Sequence, residues 1–309
     1  MAARKPIMAI VNPNSANGST RNDWPSIKGK IEGAVGGFEH RFTEGPMDAM
    51  RVTREALMSG YKTIISVGGD GTNNEIVNGF FDGDEPIGRE AALGVISRGT
   101  GSDLIKTLGI PKDLDKAVSI IAEGRVKPID VGRMTFLDHQ GNERIRYFIN
   151  ITSFGMGGAV DERVNRTTKV FGGFVSFFWA TLMTFITYRN QRVRFQVDDM
   201  ETHETPIVNI AVANGKFFGG GMMVAPEAVM DDGLFDIIVL GDMGPIESLL
   251  NGPKIYKGTH VNHPKVETMR GRKVTATSDE RVLLDVDGEQ PGMLPATFEI
   301  VTGAVQAIV

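Results

Sequence analysis

The stretch Ser66-Val67-Gly68-Gly69-Asp70-Gly71-Thr72-Asn73-Asn74-Glu75 organises the reading of this chain. Before it, Thr63-Ile64-Ile65-Ser66-Val67 is short, β-branched and apolar, the composition of a buried parallel strand. After it, Ile76, Val77, Phe80 and Phe81 recur at helical spacing. A glycine-rich turn therefore joins a strand end to a helix start. Glycine lets the backbone come close to a ligand, and the N–H groups at the helix start favour an anion, typically a phosphate. Asp70 suits that place when a magnesium ion lies between carboxylate and phosphate. A tight turn with no ligand is the plainer reading of the same residues.

Working outward, the chain alternates strand and helix patterns up to about residue 125, as expected of a doubly wound α/β domain with a mostly parallel sheet. Ile7–Val11 runs into the polar turn Asn12-Pro13-Asn14-Ser15-Ala16-Asn17-Gly18. Phe38–Phe42 is closed by Thr43 and followed by a helix over Met47–Met58. Leu93–Ile96 leads into Ser97-Arg98-Gly99-Thr100-Gly101-Ser102-Asp103, before a helix carrying Leu104, Ile105 and Leu108. These strand ends all carry small polar loops, and strand ends of this kind line one edge of an open sheet, where ligands bind. The Thr43 and Thr100 hydroxyls suit a nucleotide there, or they cap the next helix.

Beyond Arg125 the texture changes. Val126–Met134, Arg144–Ile151, Arg192–Val197, Ile207–Ala213, Leu234–Leu240, Lys273–Thr277, Val282–Val286 and Thr297–Val301 read as strands. Strands in sequence with few helices between them predict an antiparallel β-sandwich. One segment interrupts the pattern. Phe171–Tyr188 carries no charge, and its length approaches the ~20 residues of a membrane span. A span would strand the β domain that follows, so a packed helix, or one touching a membrane surface, is expected instead.

The net charge of −5 argues against bulk electrostatic binding to nucleic acid. Cysteine is absent, which removes disulfides, thiolate metal sites and cysteine nucleophiles. No signal-peptide core follows the basic start, so a cytoplasmic protein is expected. The five histidines share no ligand spacing and read as surface or strand residues. No Walker lysine motif or serine elbow occurs. Two acidic turns remain. Val229-Met230-Asp231-Asp232-Gly233-Leu234 sets two carboxylates beside a glycine, which suits a hard cation or a solvated β-turn. Asp287-Gly288 is a hairpin-turn pair that puts Glu289 at a strand start, either as an exposed carboxylate or as a base for a hydroxyl.

Together these pieces resemble the diacylglycerol-kinase catalytic superfamily, in particular its short bacterial lipid kinases. The matching segments are Asn12-Pro13-Asn14-Ser15, Thr43, Gly69–Glu75, Gly99–Asp103, Pro226-Glu227-Ala228 through Asp231-Asp232-Gly233, and Asp287-Gly288-Glu289. The resemblance implies an NAD-kinase-like or phosphofructokinase-like nucleotide-binding domain over 1–127, joined again by 296–309. It implies a β-sandwich lipid-binding domain over 128–295, with ATP and lipid meeting in the cleft between. By the same resemblance Asn12, Ser15, Thr43, Gly69, Asp70, Gly71, Thr72, Asn73, Asn74, Glu75 and Thr100 would contact ATP. Carbonyls of Val229 and Leu234 and the Asp232 carboxylate would hold magnesium, with Glu289 as general base and Asp70 organising magnesium and phosphates. Family members usually carry glycine where this chain has Ala16, asparagine where it has Ser102, and Ala-Arg where it has Ile105-Lys106.

The expected activity is transfer of the γ-phosphate of ATP to a hydroxyl of diacylglycerol or a related lipid at a membrane surface. NAD kinase shares the Gly-Gly-Asp-Gly core and is the second enzyme reading. A nucleotide- or lipid-binding protein without catalysis is the third. The acceptor lipid, the choice of nucleoside triphosphate and the oligomeric state, a homodimer included, stay open at this stage.

Overall fold

The computed structural model describes residues 6–171, 184 and 187–309, with backbone alone over 164–171. Most of Phe171–Tyr188, with the helix expected there, lies outside the described residues. The chain divides into two compact units. The first takes the chain up to Val131 together with Met230–Asp232 and Val301–Val309, and the second takes Gly132–Val229 and Gly233–Ile300.

The first unit runs β1 (Ile7–Val11), α1 (Ser19–Val35), β2 (Glu39–Phe42), α2 (Asp48–Met58), β3 (Thr63–Gly68) and α3 (Asp70–Gly79). The two-residue strands β4 (Phe81–Asp82) and β5 (Glu85–Pro86) follow, then β6 (Ala92–Ser97), α4 (Asp103–Leu108) and α5 (Leu114–Glu123). The strands stand in the order β6-β3-β1-β2, all parallel. Gln306 and Ala307, from the last strand of the chain, add a further parallel pairing beside β6. Successive side chains of a strand face opposite ways, and both faces are covered. Ala9, Val11, Ile65, Val67 and Ile96 pack with Trp24, Ile27 and Ile31 of α1 and Val118 and Ile121 of α5. On the opposite face Ser66 meets Asn73 of α3. The register pairs Phe42 with Val11, Val11 with Val67, and Val67 with Ile96. The four loops after these strands therefore leave the sheet side by side.

The second unit contains the end of β7 (Val126–Leu137), β8 (Glu143–Phe148), β9 (Ile151–Gly155), α6 (Met156–Phe171), β10 (Gln191–Val197), β11 (His203–Ile207) and β12 (Asn209–Ala213). The short hairpin β13 (Phe217–Phe218) and β14 (Met222–Met223) comes next, then β15 (Phe235–Leu240) and α7 (Pro245–Ile255). The chain closes with β16 (Val266–Gly271), β17 (Lys273–Thr277), β18 (Leu284–Val286) and β19 (Met293–Ile308). One sheet, β16-β15-β12-β9-β18, is antiparallel throughout. The other has antiparallel pairings along β11-β10-β17-β19 and between β7 and β8. Ring pairs link the two layers. Phe148 stacks on Phe235 at 5.6 Å, and Phe154 on Phe298 at 5.8 Å. Gly132 makes room for the first pair, because a Cβ there would lie 2.0 Å from the Phe148 ring.

The sandwich expected from the strand pattern is present, with local corrections. Arg144–Ile151 is not one strand: it breaks after Phe148, and Ile151 opens β9. The cause is long-range, since the Asp287 carboxylate draws in the amides of Ile149, Asn150 and Ile151. Ile207–Ala213 likewise breaks at Val208, whose amide donates to the Leu240 carbonyl. Helices α6 and α7 add to the β texture. His260 is buried, with Nε2 3.0 Å from the Val224 carbonyl oxygen, and burial pushes its pKa down. Among the described residues no helix is long and apolar enough to cross a membrane.

Candidate active site

In the first unit, two glycine-bearing loops meet at the sheet edge. A Cβ on Gly99 would lie 2.8 Å from the Gly69 Cα and one on Gly69 3.3 Å from the Gly99 Cα, so the two backbones are in contact and Gly99 in particular has no room for a side chain. Gly69 is the N-cap of α3. Asp70 ties the loops together: its Oδ1 accepts from the amides of Asp103 (3.1 Å) and Leu104 (3.2 Å), at the start of α4. Burial pushes the Asp70 carboxyl upward, with the Leu104 amide opposing. Gly71 is different. A Cβ there would meet nothing within 4 Å, and its φ lies outside the left-handed region. Neither packing nor backbone geometry explains a glycine at 71; open space over the first turn of a helix does.

The side chains around this turn bond inward. Asn12 Nδ2 donates to Thr72 Oγ1 at 3.0 Å, and Ser15 Oγ donates to the Asn12 carbonyl at 2.8 Å. Ser66 Oγ donates to Asn73 Oδ1 at 2.6 Å, and Asn78 Nδ2 to the Asn74 carbonyl at 2.9 Å. Glu75 Oε2 accepts the Ala49 amide of α2 at 3.1 Å. Thr43 is buried, its amide bonded to the Val11 carbonyl, whereas Thr100 is exposed. What the turn presents outward is chiefly main chain. Sequence reasoning missed three cations at this edge. Arg98 reaches Ser19, Thr20 and Asp23. Lys106 and Lys112 donate to the carbonyls of Gly101 (2.8 Å) and Gly99 (3.1 Å). Arg98 in the loop after β6, with Lys106 and Lys112 shortly beyond it, was the available signal.

The second unit presents Glu289 on a two-residue turn. Asp287 and Gly288 have φ of 47° and 88°, and Val286 and Glu289 exchange both backbone hydrogen bonds, as in a type I′ hairpin. Asp287 Oδ1 accepts the amides of Asn150 (3.2 Å) and Ile151 (3.0 Å), and Oδ2 accepts that of Ile149 (3.1 Å). Asp285 Oδ1 accepts the Gly288 amide at 3.0 Å. The turn is thus fastened by two carboxylates, and the third, Glu289, points out with 44% of its side chain exposed. Arg146 of β8 is its ion-pair partner. Beneath the turn, Asp161 of α6 and the fully buried Asp285 face one another. Burial pushes the Asp161 carboxyl up to about 6, and the Glu289 charge adds to the rise. Asp285 goes up as well, by burial first and by Asp161 second. Arg146, Asp161 and Asp285 escaped the sequence reading, because nothing local marks a partner more than a hundred residues away.

The third acidic turn is partly occupied. Asp231 pairs with Lys127 at 3.0 Å, and the Met230 carbonyl accepts the Asp130 amide at 2.6 Å. Gly233 is left-handed at φ 75°. Asp231 and Asp232 are both exposed. Among the described residues no group of three or more His, Asp or Glu could hold a metal. The expected donors, one carboxylate and two carbonyls, are of another kind, and oxygen donors suit a hard cation that keeps its own waters.

With this geometry in hand, comparison with known proteins is decisive. Residues 6–134 match the diacylglycerol kinase catalytic domain, and residues 150–309 match the YegS C-terminal NAD kinase beta sandwich-like domain. A diacylglycerol kinase of Staphylococcus carnosus (strain TM300) is 32% identical, covering 96% of this chain and 92% of its own length. The chain belongs to the diacylglycerol kinase family. It is a kinase by that membership. A crystal structure from Bacillus anthracis str. Sterne, assigned to the diacylglycerol kinases, superposes with a TM-score of 0.80 at 25% identity, covering 100% of this chain and 96% of that one. The NAD kinase of Archaeoglobus fulgidus, solved in complex with ATP, shares the fold at 14% identity, with a TM-score of 0.50 over 97% of this chain and 92% of that one.

Proposed function

We propose that this diacylglycerol kinase family member is an ATP- and magnesium-dependent lipid kinase that phosphorylates a hydroxyl of diacylglycerol or a related lipid. The reading is carried by one observation: Glu289 stands out from a turn clamped by Asp285 and Asp287, in a chain that matches proteins named diacylglycerol kinase over nearly its whole length. The first unit binds the nucleotide and the second the lipid. The triphosphate lies against the main-chain amides at the start of α3, over Gly71, with Asp70 as positioning residue. Asn12, Ser15, Thr72, Asn73, Asn74 and Glu75 act by holding that turn, and Thr43 and Thr100 by offering hydroxyls. Arg98, Lys106 and Lys112 stand at the same edge, the first two paired with Asp23 and Asp103.

In the reaction the acceptor oxygen attacks the γ-phosphorus while the bond from that phosphorus to the β–γ bridging oxygen breaks, releasing ADP. Glu289 takes the acceptor's hydroxyl proton. Arg146 holds the Glu289 carboxylate in place for that transfer. Magnesium would supply charge neutralisation, and the Asp232 carboxylate with the Val229 and Leu234 carbonyls would hold a separate ion of structural type. The location that follows is the cytoplasmic face of a membrane.

The test is ATP consumption by purified protein with magnesium, offered diacylglycerol in mixed micelles, NAD, or no acceptor. Turnover with lipid alone is the expected result. Turnover with NAD alone would make the chain an NAD kinase, and nucleotide binding without turnover would make it a non-catalytic binder.

A further inference from the structure

Helix α7 is amphipathic the wrong way round for a helix that faces only water. Its inward residues Ser248, Asn251 and Ile255 line a small apolar cavity with Leu240 and Val266. Its outward residues include Ile246, Leu249 and Leu250, and Ile246 and Leu250 are 76% and 72% exposed. Residues at spacings of three and four share one helical face, so these three side chains form a single apolar stripe. Tyr256, at the C-cap, extends it with an exposed ring. A water-facing helix ordinarily carries its polar residues outward.

The charge around the stripe points to what covers it. Lys254 and Lys257 are exposed at its C-terminal end and enter no ion pair among the described residues. The helix's own acid, Glu247, is drawn aside: it pairs with Lys265 at 2.7 Å, lies 3.6 Å from His263 and accepts the Gly244 amide. Asp242, ahead of the helix, is bonded to Asn190. The exposed face of α7 is therefore apolar and positive on a chain whose net charge is −5. An apolar stripe flanked by lysines and a tyrosine complements the headgroup layer of an anionic bilayer.

We propose that the outer face of α7, Ile246, Leu249, Leu250 and Tyr256 with Lys254 and Lys257, seats the protein on an anionic lipid surface. This rests on the lipid-kinase reading for its purpose, since an acceptor held in a bilayer must be met there. The experiment is co-sedimentation with vesicles of phosphatidylglycerol and phosphatidylcholine, and with vesicles of phosphatidylcholine alone. The double variant I246Q/L250Q is expected to bind mixed vesicles about tenfold less tightly than the unaltered protein. K254E/K257E is expected to lose only the preference for phosphatidylglycerol. Both variants should phosphorylate a water-soluble short-chain diacylglycerol at the unaltered rate, which shows that they are folded. Unchanged vesicle binding by I246Q/L250Q would overturn the proposal, and so would an unaltered protein that never sediments with vesicles. A dimer that I246Q/L250Q dissociates would also overturn it, assigning the face to self-association. Vesicle binding that depends on α7 in a protein without lipid turnover would support the docking and defeat the lipid-kinase reading alone.

Discussion

At the scale of single residues, Glu289 carries the sharpest expectation. Glu289→Gln keeps the shape of the side chain and a polar partner for Arg146 but removes the proton acceptor. Turnover should fall by roughly 10²-fold or more while ATP affinity is unchanged, the split that a general base predicts. Steady-state kinetics beside a nucleotide-binding titration would show it, and full turnover would remove Glu289 from the chemistry. Two other residues explain a pattern visible in the sequence. Ala16 and Ser102 stand where the family usually has glycine and asparagine, and both are left-handed here, at φ 52° and 57°. Those are the residue types that tolerate this conformation, which costs others roughly 1–2 kcal/mol. Ala16→Gly should therefore raise stability by up to about 1 kcal/mol after the added flexibility of the unfolded chain is counted. A chemical denaturation midpoint at or below that of the unaltered protein would contradict this account.

Among elements, the loops after β3 and β6 were the most legible part of the molecule. Their glycines and small polar residues are contiguous, and parallel strands of matched register must deliver them to one edge. Gly99→Ala tests that meeting of loops. The new methyl would press on the Gly69 backbone, which cannot rotate aside as a side chain could. Reduced ATP affinity is expected, and unaltered binding would mean that the loops separate without consequence. In the sandwich the corresponding position is Gly132. Alanine there must displace the Phe148 ring from its stack on Phe235, at a cost of about 1–3 kcal/mol. Thermal melting of Gly132→Ala would reveal the loss. What sequence could not show were the joins made across long separations. The break between β8 and β9 depends on Asp287, and the orientation of Glu289 depends on Arg146. Helix α7 was missed for another reason: the Gly252-Pro253 pair and the outward leucines obscure the periodicity that a core-facing helix displays.

For the whole molecule, titration links the Glu289 turn to stability. Folding pushes Asp161 up to about 6, and Asp285 up as well, so the folded protein holds protons that the unfolded chain releases above about pH 4. Stability from these groups is complete below that pH and is lost as pH climbs through 6. Asp138 works in the opposite sense. The Asn142 amide is the main cause that holds it near 2, so its contribution is present above about pH 4 and disappears as pH falls through 2. Melting curves between pH 5 and 8 should slope downward, and Asp161→Asn should flatten them. An unchanged slope would acquit the buried pair. Composition and strand pattern made the two-part architecture readable, whereas the interleaving, in which β7 begins in the first unit and ends in the second and β19 makes the reverse passage, is visible in the sequence only through the family resemblance. During synthesis this imposes an order of events. The first unit, made before the second, lacks the strand beside β6 until Gln306 and Ala307 appear, so the earlier-made of the two units is the later to be finished.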